Sequence, residues 1–269
     1  MTKPAPAPFQ PEITKVSGLL KGWIYGPVDS RRYGKSLGIN ILPPDAKLCS
    51  LDCHYCQLGF GSLEDFRTGP RRLPGPETIA RALTEALRRL DGEGGQVETL
   101  TLSGNGEPTL HPRFPEMVDA LRAVRDAEAP RARIGVLSNS LHLRKPTVRA
   151  ALARLDLRVM KLDAGNEATF RRVDRPLFRV TLRQVIDGLK DLPDCTLQAM
   201  FVDGPDRNID PADVADWVRA VAEVGPELVE VYTLDRRPAD RRLRPVPAER
   251  LAAIAAELTA ATGIPAQVF

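Results

Sequence analysis

The stretch Lys47 to Gly59 reads KLCSLDCHYCQLG, and it contains three of the chain's four cysteines, Cys49, Cys53 and Cys56, in the spacing CxxxCxxC. Thiols this close together cannot anchor a long-loop disulfide framework; the pattern is that of ligands to a metal or an iron–sulfur cluster. A four-iron cubane takes four ligands, and only three are local here. Either a remote group completes the set or one iron is left open for chemistry. A structural zinc site completed by His54 or Cys195 is the competing reading, because three cysteines and a histidine are a common zinc set.

Composition narrows the setting. At 269 residues with 43% hydrophobic content, the chain suits one large α/β domain with a sizeable core. Residues 1–20 form a Pro- and Ala-rich tail and residues 21–269 a single domain with a short C-terminal extension. The formal net charge of +3 permits nucleic-acid binding without indicating it. No apolar run approaches a membrane span, and no signal-peptide core is visible at the N-terminus. Clustered thiols without an export signal point to the cytoplasm.

Periodicity supplies the architecture. Apolar runs at Ser36–Leu42, Val97–Leu102, Arg133–Leu137, Leu157–Leu162, Thr196–Val202 and Leu228–Leu234 read as strands. Helical faces alternate with them, carried by Ile79/Leu83/Leu87/Leu90, Met117/Val118/Leu121, Val148–Leu155, Leu182/Val185/Ile186/Leu189, Val214/Trp217/Val218/Val221 and Leu251/Ile254/Ala255/Leu258. Asp210 is placed to cap the fifth of these, with Pro211 at the first helical position. Six β/α units imply a parallel sheet, and no Gly-rich phosphate loop follows any strand. The polar residues come just after each strand: the cysteine loop, SGNGEP (Ser103–Pro108), SNS (Ser138–Ser140), DAG (Asp163–Gly165), DGPDRN (Asp203–Asn208) and DRR (Asp235–Arg237). Ligands bind at the carboxyl ends of strands in such folds, so the loops describe one site.

CxxxCxxC after the first of six β/α units resembles the radical S-adenosylmethionine (radical SAM) superfamily. GPVDSRRYGKSLGIN, the cysteine loop with QLG, and SGNGEPTLHP are similar to its wyosine-synthase-like Fe–S oxidoreductases. The resemblance implies an α/β fold, a partial (β/α)6 TIM-like barrel, with one 4Fe–4S cluster on Cys49, Cys53 and Cys56. S-adenosylmethionine would chelate the fourth iron and, on reduction, yield a 5′-deoxyadenosyl radical. It also implies that Tyr55 lies near the adenine and that Gly104, Asn105, Gly106 and Glu107 hold the methionyl amino group. Asn139 and Asp163 would reach the carboxylate or ribose. An electron donor such as flavodoxin or ferredoxin is implied as partner. A substrate-modifying role is favoured over activation of a glycyl-radical protein, and the substrate reading is an anionic nucleotide or a tRNA base.

Other residues carry plainer expectations. Cys195 reads as a small buried hydrophobe. Lys161 shares a strand face with Asp163 and is available to pair with it. His111 and His142 carry no spacing signal and are expected on the surface. Arg31, Arg32, Arg236 and Arg237 flank strands and could meet phosphate or carboxylate, with Asp203 and Asn208 beside them. A zinc-stabilised RNA-binding protein without catalysis is the alternative from another class.

Overall fold

A computed structural model describes residues 18–68, 73–92 and 94–269. Most of the expected tail, residues 1–17, lies outside these; Leu20 at its end is buried. In chain order the strands are β1 (Ile24–Ser30), β2 (Gly34–Ile39), β3 (Thr99–Leu102), β4 (Arg133–Ser138), β5 (Leu157–Lys161), β6 (Thr196–Met200), β7 (Val202–Asp203), β8 (Leu228–Tyr232), β9 (Arg244–Pro245) and β10 (Ala266–Val268). The helices are α1 (Leu63–Thr68), α2 (Pro76–Gly92), α3 (Phe114–Glu128), α4 (Pro146–Leu152), α5 (Glu167–Val173), α6 (Leu182–Lys190), α7 (Pro211–Val224) and α8 (Ala248–Thr262).

Eight strands form one sheet in the order β1-β2-β3-β4-β5-β6-β8-β10, parallel throughout except for the β1–β2 hairpin. The alternating pattern implies this mostly parallel α/β sheet, and the family resemblance implies its partial-barrel form. Alternation along each strand divides the two faces. Leu37, Ile39, Leu100, Leu102, Ile134 and Val136 are buried in the main hydrophobic cluster with Ile79, Leu83, Met117 and Leu121 of the helices. Each such side chain contributes about 1.5–3 kcal/mol by leaving water. Trp217 of α7 completes this layer, donating its indole N–H to the Leu162 carbonyl at 2.9 Å and meeting Phe201 edge-on.

Residues of the opposite parity make a polar interior. Ser36 and Thr101 hydroxyls lie 2.8 Å apart, and Gln198 donates to Glu230 at 2.9 Å. Tyr25 of β1 packs on Gly38, where an added Cβ would sit 2.0 Å from the ring. The β1–β2 turn reaches β6 and β8 at the far side of the sheet. Tyr33 donates to Glu230 at 2.7 Å, while the Arg32 guanidinium lies 3.4 Å from Glu230 and 4.7 Å from the Tyr232 ring centre. Arg32, expected as a candidate for substrate anions, is thus committed to holding the first and last parts of the sheet together.

The other departures have local causes. The segment expected as a glycine-bearing lead-in folds as β1, because a register shift between Tyr25 and Val28 absorbs Gly26 and Pro27. The apolar C-terminal end adds β10 beside β8. Asp210 occupies the N-cap of α7, but its side chain makes no cap bond and pairs instead with Arg207 at 2.8 Å. His111 is buried, 3.0 Å from the Pro74 carbonyl through Nε2, and its Nδ1 accepts the Arg113 amide at 3.1 Å. His142 is half-buried near the Thr109 carbonyl. Neither is a surface histidine.

Candidate cluster and cofactor site

The cysteine loop follows β2 and is held on three sides by backbone hydrogen bonds. On one side Leu48 N–H donates to the Asn105 carbonyl at 2.8 Å and Glu107 N–H to the Leu48 carbonyl at 2.9 Å. On the second, the segment after α5 runs alongside: Asp52 N–H donates to Arg175, His54 N–H to Val173, and Leu177 N–H to Ser50. On the third, Asp240 N–H donates to the His54 carbonyl at 2.9 Å. Lys47 spans the loop itself, its ammonium 2.7 Å from the Gly59 carbonyl. Three thiols are thereby fixed by three separate parts of the chain.

Cys53 is buried, and Cys49 and Cys56 are half-buried. Burial pushes the Cys49 thiol up to about 12, with the Glu107 carboxylate adding to the effect. Burial likewise raises Cys53; Lys161 opposes the shift, and Asp174, Cys49 and Cys56 add to it. Without a metal the buried thiols are neutral, so binding one must release protons. Lys47 and Lys161 supply the positive charge that favours thiolates here. Among the described residues, His54, Asp206 and Asp240 bring three ligand atoms within 4.8 Å of one another. Three free thiols on one loop are donors of the kind that hold iron–sulfur clusters.

Beside the thiols lies a compact charged cluster. The Lys161 ammonium donates to the Tyr55 hydroxyl and to the carboxylates of Asp163 and Asp174, and Tyr55 donates to Asp163. Asp163 also accepts the Met200 N–H at 3.0 Å, and Asp174 faces the Cys53 sulfur at 3.8 Å. Burial pushes the Asp174 carboxyl up to about 7 against the pull of Lys161. Lys161 pairs with Asp163 as their shared strand face implies. Asp174 was not legible in the sequence. Its signal is faint: an acid at the end of α5, a seven-residue helix capped by Asn166.

Glu107 is the second centre. Its carboxylate accepts Thr109 N–H at 3.0 Å, the Thr109 hydroxyl at 2.5 Å, the Ser138 hydroxyl at 2.9 Å and Asn139 N–H at 2.6 Å. Burial still pushes this carboxyl upward. Asn139 donates from its amide to Ser50 at 3.0 Å and lies 3.7 Å from the Cys49 sulfur. The adjacent glycines admit protein. A Cβ on Gly106, at φ +142°, would stand 1.8 Å from the Leu48 carbonyl oxygen, and one on Gly104 2.4 Å from Asn40 Oδ1. Asn105 turns away from the thiols, exchanging hydrogen bonds with Leu20 and donating to Pro43.

The structure therefore joins Cys49, Cys53, Tyr55, Glu107, Asn139 and Asp163 through a network that includes Lys161 and Asp174. Asn208 does not reach it as a free ligand: its amide bonds the Asp163 and Met200 carbonyls and its oxygen accepts Val202 N–H. His54 sits outside the thiols, with Nδ1 2.9 Å from Asp206 and 3.3 Å from Asp240. Arg242 already occupies those carboxylates, 2.6 Å from Asp240 and 3.7 Å from Asp206. The group is a latch between loops. Cys195 is buried, and burial pushes its thiol up to about 11, as suits a small packing residue.

Comparison with known proteins bears on the same region. The family model described as the radical SAM superfamily matches residues 46–218. A UPF0026 protein of Methanocaldococcus jannaschii is 34% identical over 165 residues, 61% of this chain and 48% of that one. The chain spans from 31% to 50% of the first curated relatives it matches. Among solved structures, a radical SAM methyltransferase from Sphaerobacter thermophilus has a TM-score of 0.63 at 18% identity, covering 87% of this chain and 65% of that one. TYW1 with a lysine–pyruvate adduct bound has a TM-score of 0.60 at 14% identity, covering 84% and 73%. These likenesses concern the fold.

Proposed function

The chain belongs to the radical SAM superfamily, whose enzymes use a 4Fe–4S cluster and S-adenosylmethionine, and from that premise we propose that Cys49, Cys53 and Cys56 are the three cluster ligands and that the surrounding network binds the co-substrate. The observation that carries this is the convergence of the loops after β3, β4 and β5 on the cysteine loop, through Glu107, Asn139 and the Lys161–Asp163 pair. When bound, the cluster and S-adenosylmethionine supply one-electron reductive cleavage and a 5′-deoxyadenosyl radical that takes hydrogen from a substrate.

The chain's own residues have separable roles in this proposal. Glu107 and Asn139 fix the loops on the Cys49 side, and the backbone carbonyl oxygens of Gly104 and Gly106 are the acceptors offered to the methionyl amino group. Tyr55 and Asp163 offer a ring and a carboxylate on the Cys53 side, for the adenine and ribose. Lys161 holds Asp163, Asp174 and Tyr55 in register and keeps positive charge beside the thiolates. The buried packing excludes water from the reacting groups. The substrate is proposed as an anionic nucleotide or a tRNA base, modified directly; the exposed Arg31 and Arg237 beside the strand-end loops support an anion. The reducing electron comes from a protein donor of the flavodoxin or ferredoxin class.

The test uses anaerobically purified, reconstituted protein assayed for iron, sulfide and zinc, then for 5′-deoxyadenosine after addition of dithionite and S-adenosylmethionine. The expected result is about four irons per chain with 5′-deoxyadenosine formed, both lost in Cys53→Ala. Stoichiometric zinc without cleavage would overturn it and make the loop a structural clasp.

A further inference from the structure

Two of the exposed large hydrophobic side chains among the described residues, Phe60 and Phe178, flank the cysteine loop: Phe60 lies within its C-terminal continuation, and Phe178 follows the segment paired to Ser50–Asp52. Phe60 is 51% exposed, yet its ring is already oriented, edge-on to His54 at 5.8 Å and beneath the Arg175 guanidinium at 5.2 Å. Arg175 holds φ +48° and pairs with the buried Asp52, so the cation over the ring is fixed by the same segment that fixes the loop. A large exposed ring set among arginines is the composition of an interface centre rather than of ordinary surface.

Positive charge is concentrated on the same side. Asp235 to Arg244 (DRRPADRRLR) holds five arginines against two aspartates, a local excess equal to the formal +3 of the whole chain. This segment touches the cysteine loop twice. Arg236 donates to Gln57 at 3.1 Å, and Asp240, gripped by Arg242, meets His54. Arg236 and Arg241 are exposed. Arg242 and Arg244 pair with Asp206 and Asp203, which leaves Arg236, Arg237 and Arg241 as exposed positive charge beside the loop.

Residue parity separates this face from the radical chemistry. Tyr55 points inward to Lys161 and Asp163, whereas its neighbour His54 points outward to Phe60. A substrate must meet the inner side. A protein that delivers an electron approaches the outer side of the cysteine loop, where His54, the neighbour of Cys53, and Phe60 lie together. We propose that the surface centred on Phe60 and bordered by Arg175, Arg236 and Arg241 is the docking face for an acidic one-electron carrier protein. This rests on the cluster assignment above. Charge complementarity of this kind governs encounter rate more than final affinity.

The experiment follows bleaching of the cluster's visible absorbance in stopped flow, with reduced flavodoxin or dithionite as reductant. Phe60→Ala and the double variant Arg236→Glu/Arg241→Glu are compared with wild type, with low and high salt as a further axis. The expected result is reduction by flavodoxin slowed about tenfold or more, salt-sensitive in wild type, with dithionite reduction unchanged. Equal flavodoxin rates in wild type and both variants overturn the proposal, as does equal slowing with both reductants, which would mean the residues act on the cluster itself. Loss of tRNA binding in the variants with flavodoxin rates intact also overturns it, and assigns the face to nucleic acid. Absence of bleaching by dithionite in wild type is distinct from all of these, because it overturns the cluster assignment first. The two variants touch different side chains, so a folding failure in one leaves the other to decide.

Discussion

Replacing Lys161 by Met would leave two carboxylates facing each other in the interior. The side chains of Asp163 and Asp174 are 0% and 3% exposed, and the lysine ammonium is the cation between them. Removing one partner of a buried ion pair typically costs about 3–5 kcal/mol, because the remaining charge has no water to return to. Asp174 already sits at about 7 with the lysine present. It takes up a proton when the cation is lost, which limits the penalty to about the lower end, roughly 3 kcal/mol. For a chain of this size that lowers Tm by roughly 6–12 °C. The double variant Lys161→Met/Asp174→Asn leaves Asp163 with Tyr55 and the Met200 N–H as partners and should recover part of the loss. Anaerobic urea and thermal melts of wild type, both singles and the double form a complete cycle, with an expected coupling of about 1–3 kcal/mol. A Lys161→Met protein within about 1 kcal/mol of wild type, or a cycle without coupling, would refute the reasoning.

Other substitutions probe the rest of the site. Gly106→Ala forces a Cβ against the Leu48 carbonyl and should break the two hydrogen bonds that hold the cysteine loop to β3's following loop. A stability loss of about 3 kcal/mol or more, with lowered iron retention on desalting, is expected. His111 has its pKa held below the ordinary histidine value, first by burial, and its Nδ1 must stay unprotonated to accept the Arg113 amide. Folding therefore favours the neutral ring: its stability contribution is complete above the unfolded pKa of about 6.5 and is lost as pH falls through the folded value. Melting curves from about pH 7.5 to 5.5 should show a shallower decline for His111→Gln than for wild type; identical slopes would contradict this. Cys195→Ala should leave iron and sulfide content at the wild-type level, since the thiol lies at the start of β6 among apolar neighbours. Iron loss in that variant would make it a ligand.

Much of the fold was readable because it depends on short-range rules. Helical and strand periodicities repeat within a few residues, and all six expected strands and six expected helices are present, with shifted ends. The elements that were not readable are those whose pattern is too short or too irregular. β1 is interrupted by a register shift, α5 has seven residues, and β10 has three and exists only because β8 offers an edge. Asp210 has the right residue type for a side-chain cap, but Arg207 competes for its carboxylate.

The same division runs through the site. By itself the sequence determined the spacing of Cys49, Cys53 and Cys56, the polar character of the loops after each strand, and the placing of Lys161 and Asp163 on one strand face. Tertiary structure alone decided that Asp174 joins them, that Asn105 serves Leu20 and Pro43, that Arg32 clasps Glu230, and that His54 and Tyr55 face opposite ways. The physical reason is range. Tyr55 and Asp163 stand 108 positions apart, Arg32 and Glu230 198, and no local periodicity constrains which buried polar groups will meet across such distances. Packing sets that choice, because each buried charge must find a partner where the folded backbone delivers one.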